Sequence, residues 1–170
     1  GSAPIGLPNA SDALFAVKKA VFEDNLCTAE KLIHAMKTDF QGNEPLRLAL
    51  QKLPKYGQQD KAADEMAARV MTSVCQAYAS YQNCQGGTAL PMVLTFGPQA
   101  AAMLGAGADG SHRGKMVAHG LTPQSSSMTK GITAAIGSNL RMPMDLFTGG
   151  ASTMWDFDPS WISEELLLAI

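Results

Sequence analysis

The sequence predicts an α/β protein with its helices and strands in separate halves. Two observations carry this. Up to about residue 84, apolar residues recur at helical spacing between capping and breaking residues. After Gly86 and Gly87 the pattern becomes a continuous apolar run and later a strict alternation, both strand signatures. At 170 residues the chain fits one domain and is long enough for a real core.

The first helix is read in "NASDALFAVKKAVFE", with Asn9 or Ser11 as capping group and Ala10, Leu14, Val17 and Val21 on one face. In "TAEKLIHAMKTDF", Thr28 is the N-cap, Leu32, Ile33 and Met36 gather, and Gly42 and Asn43 end the run. "EPLRLALQKL" is a short helix with Pro45 early, where a missing N–H costs little, and Pro54 and Gly57 punctuate its end. The longest helix runs from its cap, Asp60, to about Gln82. Met66, Val70, Val74 and Tyr78 step by four along its stripe, with Asp64, Glu65 and Arg69 off it.

Thr88 to Phe96, "TALPMVLTF", reads as a strand buried on both faces, with Pro91 marking an edge, a bulge or a strand start. "PQAAAMLG" suits a short helix, and "KGITAAIGSNL" another, weakened by Gly137. In Ala151 to Pro159, Thr153, Trp155 and Phe157 alternate with Met154, Asp156 and Asp158, so a strand is expected; two carboxylates on one strand face are ordinarily solvated or salt-bridged. A last helix begins near Ser160, with Glu164 and Glu165 where the helix dipole favours acids. Its run from Leu166 to Ile170 carries no terminating signal, which predicts a chain that continues in a longer protein. The organisation expected is one segment over 1–170: helical over 9–84, strand- and loop-rich over 88–159, and a cut helix over 160–170.

Composition excludes several function classes. Thirteen basic and fifteen acidic residues give a formal net charge of −2, and no basic run points to nucleic acid. No apolar run is long enough to cross a membrane, and no basic region followed by an apolar stretch marks a secretory leader, so a cytoplasmic location is expected. Cys27, Cys75 and Cys84 are odd in number and fit no metal or redox spacing; Cys75 reads as a small buried hydrophobe. His34, His112 and His119 are scattered, so no metal site is expected. "MLGAGADGSHRG" holds Gly105, Gly107 and Gly110 at G-x-G-x-x-G spacing. A dinucleotide loop needs a helix starting at the last glycine and an acid about 20 residues on; neither follows, so a tight Gly-rich turn is the reading preferred.

In their order, several of these stretches resemble the C-terminal half of the glycyl radical enzymes, the pyruvate formate-lyase-like family. The residues that carry the likeness are Asn9 to Leu14 with Lys18 to Phe22, then Leu53-Pro54-Lys55-Tyr56-Gly57, then Ala63-Asp64-Glu65. "GAGADGSHRGKMVAHGLTP" is similar to the family's "T-G-A-x-P-D-G-R-x-A-G-E-P-L-A-D-G-x-S-P", with Asp109-Gly110 at "D-G" and Gly120, Thr122 and Pro123 at "D-G-x-S-P". Gly131 to Ala134 resembles "G-P-T-A". Ala108 stands where the family has proline, Ser111 where it has arginine, and Met116 where it has an acid, which leaves the subfamily open.

The resemblance implies a ten-stranded α/β barrel of two antiparallel half-barrels wrapped in helices, of which this chain is part. It implies a radical held on a backbone glycine and relayed to a cysteine, both outside this segment; Cys27, Cys75 and Cys84 match neither carrier, so no residue here is assigned catalysis, cofactor or metal binding. The partners implied are the remainder of the barrel, a radical SAM activating enzyme and further copies of the parent. The segment's contribution would be pocket wall, with Met92, Val93, Leu94 and Thr95 as candidates, which could equally pack the barrel. Alcohol-dehydrating members carry a tyrosine near the Met92 position; the apolar strand here points to an apolar or aromatic substrate. "TGGASTMWDFDPSW" looks most like the members that add hydrocarbons to fumarate, the benzylsuccinate synthase type. An arylacetate decarboxylase, a dehydratase or lyase, or a non-catalytic partner-binding module are the alternatives.

Overall fold

The computed structural model describes residues 3–94, 101–156, 160, 163 and 165. Helix α1 spans Leu7–Val17. It starts two residues before Asn9 because Gly6, in the left-handed region at φ 77°, opens it and Pro8 sits in its first turn. Asn9 and Ser11 therefore lie inside the helix and do not cap it. The Ser11 hydroxyl donates to the Leu7 carbonyl at 2.8 Å, and Asn9 Oδ1 accepts the Ala118 N–H at 2.7 Å.

The buried face of α1 is also displaced from the one predicted. It carries Ser11, Asp12, Phe15 and Ala16, while Leu14 is 50% exposed. Hydropathy misreads this helix because two polar residues are inside, each with an internal partner. α1 runs directly into a π-helical turn, Lys18–Glu23. Five-residue spacing then aligns Lys18 with Glu23 and Lys19 with Asp24, and both pairs form ion pairs.

Helix α2 spans Ala29–Lys37 and is capped as predicted: Thr28 Oγ1 accepts the Lys31 N–H at 3.2 Å. Leu32 and Ala35 face inward, and Ile33 is half exposed. Helix α3 spans Glu44–Lys52 with Pro45 in its first turn. Helix α4 spans Lys61–Ala79, and Asp60 Oδ1 accepts the Ala63 N–H at 2.9 Å. Its buried stripe is Ala63, Ala67, Met71 and Cys75, one position beyond the predicted Met66, Val70, Val74 and Tyr78, which are half-buried. α4 packs on α1, and alanines at 63 and 67 permit the close approach. Asp64, expected off the stripe, is buried and held by Arg141 Nη1 at 3.0 Å.

The second half departs most from expectation. Among the described residues it contains two isolated bridges and no regular strand: Gln82 with Thr88, antiparallel, and Val93 with Ala151, parallel. The two segments predicted as strands do meet. A strand apolar on both faces, however, needs a sheet neighbour on each side, and Val93 has a single neighbouring segment among the described residues. Thr95 and Phe96, residues 157–159 and most of the predicted terminal helix lie outside the described residues. Residues 101–103 are helical, in the stretch predicted as a short helix. Helix α5 spans Ile132–Asn139, between short 3₁₀ turns at Ser125–Ser127 and Met144–Leu146.

Two apolar clusters organise these elements. One joins Leu7, Tyr56, Met71, Cys75, Val93, Leu121, Met142 and Phe147. The other joins Ala16, Ala20, Leu32, Phe40, Leu50, Ala106 and Ala108. Tyr56, fully buried, sits in the first of these, where the helical half meets the second half. No helix among the described residues is long and apolar enough to cross a membrane.

Candidate substrate-pocket wall

The Lys55-Tyr56-Gly57 turn is where the two halves are fastened. The Tyr56 N–H donates to Asp12 Oδ1 at 2.8 Å, and its hydroxyl donates to the Leu121 carbonyl at 2.8 Å. Asn139 Nδ2 donates to both the Tyr56 oxygen and the Leu121 carbonyl, each at 3.0 Å. Gly57, at φ 99°, lies so close to Pro123 that any Cβ would overlap its ring. Burial pushes the Asp12 carboxyl up to about 7, against the pull of the Tyr56 N–H, nearby Lys55 and the Ser127 hydroxyl. Burial likewise raises the Tyr56 phenol and lowers the Lys55 ammonium.

The loop 119–123 held by Tyr56 in turn holds residues 149–154. The Leu121 N–H donates to the Ser152 carbonyl at 2.9 Å. Thr122 Oγ1 accepts the Met154 N–H at 2.8 Å, a side chain standing in for a strand neighbour. Gly120, at φ 56°, lets the loop backbone lie against the Ser152 carbonyl. On the opposite edge, the Val93 N–H donates to the Gly150 carbonyl at 3.0 Å, and Ser152 N–H donates to the Val93 carbonyl at 3.2 Å. The Gly149 N–H reaches the Pro91 carbonyl at 2.9 Å. Residues 149–154 are thus a ribbon gripped from both sides.

The four candidate wall residues separate by strand alternation. Val93 is fully buried against Tyr56, Met71 and Leu121, so it faces the segment's own core. Met92 is half-buried and Leu94 is 41% exposed; the alternation puts both on the other face. Thr95 lies outside the described residues. Beyond the ribbon opens a cavity of about 600 Å³ lined by His119, Thr122, Gln124, Met154, Trp155 and Asp156 among others. His119 and Asp156 both line it, and no sequence pattern signals that they share a cavity. The Asp12–Tyr56–Asn139 node was also not assigned a role from sequence. Its signal was available: an Asp on the helix face beside Asn9, and the "PKYG" and "HGLTP" strings, which now prove to be in contact.

The Gly-rich stretch forms the turn preferred from sequence. Gly107 N–H donates to the Ser111 carbonyl at 2.9 Å, and Gly110 N–H to the Gly107 carbonyl at 3.1 Å. These amides are turned inward and do not cradle a phosphate. Gly110, at φ 85°, packs its backbone on α3, where Arg47 and Gln51 donate to its carbonyl. Cys75 is buried, Cys27 half-buried and Cys84 exposed, and burial raises the Cys27 and Cys75 thiols. Among the described residues no three His, Cys, Asp or Glu side chains gather as a metal set.

Comparison with known proteins accords with this arrangement. Residues 1–101 match the model of the pyruvate formate lyase-like family. The chain belongs to that family, the glycyl radical enzymes. It is 30% identical over 168 residues to the trans-4-hydroxy-L-proline dehydratase of Clostridioides difficile, covering 95% of this chain and 21% of that protein. It is 38% identical over 66 residues to an isethionate sulfite-lyase of Oleidesulfovibrio alaskensis, covering 39% of this chain and 8% of the relative. Among solved structures, the glycerol-bound B12-independent glycerol dehydratase of Clostridium butyricum superposes with a TM-score of 0.84 at 28% identity, over 88% of this chain and 19% of that one. A glycyl radical enzyme of Archaeoglobus fulgidus gives 0.82 at 25%, with the same coverage. The chain spans about a fifth of the length of these fuller relatives.

Proposed function

We propose that this chain is a segment of a glycyl radical lyase, a dehydratase or a related C–X bond-cleaving enzyme, and that it supplies part of the substrate-pocket wall. The observation that carries this reading is the likeness of 95% of the chain to a hydroxyproline dehydratase, together with the fold match to a glycerol dehydratase. The relatives compared whose reaction is named are dehydratases and a sulfite-lyase, so they favour this reaction class over addition of a hydrocarbon to fumarate. The apolar Met92, which suggested an aromatic substrate, is compatible with a dehydratase whose polar contacts come from other segments.

In the whole enzyme the segment would complete a ten-stranded barrel, with residues 149–154 and 91–94 extended into its strands. The glycyl radical, outside these residues, would supply hydrogen-atom abstraction, and a radical SAM enzyme would install it. What this chain does is geometric. Met92 and Leu94 line the wall, Thr122 and Leu121 fix the ribbon beside it, and the Tyr56 node fixes that loop. A rigid wall matters because a carbon radical must be kept from water and oxygen. A cytoplasmic, homo-oligomeric parent is part of this proposal.

The test is to activate the protein carrying this segment and offer it trans-4-hydroxyproline, glycerol, propane-1,2-diol and isethionate, with toluene plus fumarate as the opposing arm. Release of water or sulfite, with KM altered by Leu94→Ala, supports the reading. Formation of a succinate adduct alone would reject it.

A further inference from the structure

A second cavity, of about 250 Å³, lies between the end of α3, the Gly-rich turn and the 3₁₀ turn Ser125–Ser127. Its lining residues are all of polar type: Gln51, Lys55, Asp109, Ser111, Lys115 and Ser126. Counting hydrogens shows what it offers. An ammonium carries three donors and no acceptor. Lys55, buried at 6% exposure, spends two on the Leu50 and Leu53 carbonyls, at 2.9 and 3.3 Å. Lys115 spends one on Ser126 Oγ at 2.9 Å, which leaves the Ser126 hydroxyl hydrogen to point elsewhere.

The other lining donors are partly committed, one Gln51 amide hydrogen remaining. Gln51 Nε2 donates to the Gly110 carbonyl, and the Ser111 hydroxyl donates to Asp109 Oδ1. The cavity therefore presents two ammonium groups, a hydroxyl hydrogen and an amide hydrogen against the single carboxylate of Asp109. A buried charge calls for a partner. Among the described residues no carboxylate lies within ion-pair distance of Lys55 or Lys115. Asp109 and Asp12 are near enough to act on Lys55, but Asp109 serves Ser111, and Asp12 serves the Tyr56 N–H and the Ser127 hydroxyl. The two lysines also oppose each other: Lys115 helps to lower the Lys55 ammonium, after burial itself.

We propose that this cavity binds a small oxyanion, of the size of phosphate or sulfate, between the ammonium groups of Lys55 and Lys115 with Ser126 as a third donor. The charge-assisted bonds repay the burial of Lys55 and relieve the repulsion between the lysines. The site is separate from the ribbon of residues 149–154 and does not depend on the radical reaction. Its failure and the failure of the proposed function are therefore distinguishable.

The experiment is equilibrium dialysis of the unactivated protein carrying this segment against labelled inorganic phosphate at low ionic strength. Three forms are compared: wild type, Lys115→Gln and Ser126→Ala. Lys115 is half-exposed, so its replacement leaves the fold in place, and Ser126→Ala removes the hydroxyl donor together with the acceptor of one Lys115 hydrogen while keeping both ammonium charges. The expected result is one saturable phosphate per chain, displaced by sulfate and not by chloride at equal ionic strength. Binding should weaken at least about tenfold in Lys115→Gln and less in Ser126→Ala. No saturable uptake, or equal uptake by wild type and Lys115→Gln, would overturn the proposal and leave a cavity that holds water only.

Discussion

Replacing Gly120 by alanine tests whether the loop 119–123 really fixes the ribbon of residues 149–154. The added Cβ would overlap the Ser152 carbonyl oxygen, and the backbone sits at φ 56°, where an alanine is strained. The dihedral costs about 1 kcal/mol. Relief of the overlap separates loop and ribbon, which breaks the Leu121 N–H bond to Ser152 and the Met154 N–H bond to Thr122. Each is worth about 1 kcal/mol net. The ribbon should therefore open more easily by about 3 kcal/mol, or roughly a hundredfold. Amide hydrogen exchange reads this locally. In the protein carrying this segment, the Leu121 and Met154 amides should exchange about a hundred times faster in the variant. Amides inside α4, such as those of Met71 and Cys75, should not change. Unaltered exchange at Leu121 and Met154 would show that the loop does not hold the ribbon.

Three further expectations concern the node behind that loop and the cap of α4. Tyr56→Phe removes a donor to Leu121 and an acceptor for Asn139, which still reaches Leu121; a loss of about 1–2 kcal/mol is expected from the denaturant midpoint. Asp12 has its folded value raised from 3.8 to about 7, so the folded state binds the proton more tightly than the unfolded chain. Its contribution is fully present below about pH 4 and is lost as pH rises through about 7, by up to about 4 kcal/mol. Asp12→Asn should flatten that slope in an unfolding series across the window, and an equal slope in both proteins would refute it. Asp60→Ala should cost α4 about 1 kcal/mol by removing the cap on Ala63, measured as faster exchange in its first turn.

How much of this was legible in the sequence depends on range. Local signals were read well: Thr28 and Asp60 cap their helices, Pro45 opens α3, and the glycines of 105–110 make a turn. Faces were read less well. α1 buries Ser11 and Asp12 because partners 44 residues away or more satisfy Asp12, and no local pattern encodes such partners. The α4 stripe is set by alanines that admit α1, so the larger Met66 and Val70 misled the assignment. The two strand segments were located but not their state, since regular strands require neighbours that the described residues do not supply. The strings "PKYG" and "HGLTP" carry the family likeness but not their contact. Only the structure shows that Gly57 meets Pro123 and that Tyr56 reaches Leu121.

The central claim is that this chain is wall, and that the radical machinery lies in other segments of the same enzyme. Electron paramagnetic resonance after anaerobic incubation with an activating enzyme tests it most directly, on the full protein and on residues 1–170 alone. A glycyl doublet is expected from the full protein and none from the 170-residue chain. A doublet from the short chain, or none from the full protein under conditions that activate a known glycyl radical dehydratase, would contradict the account.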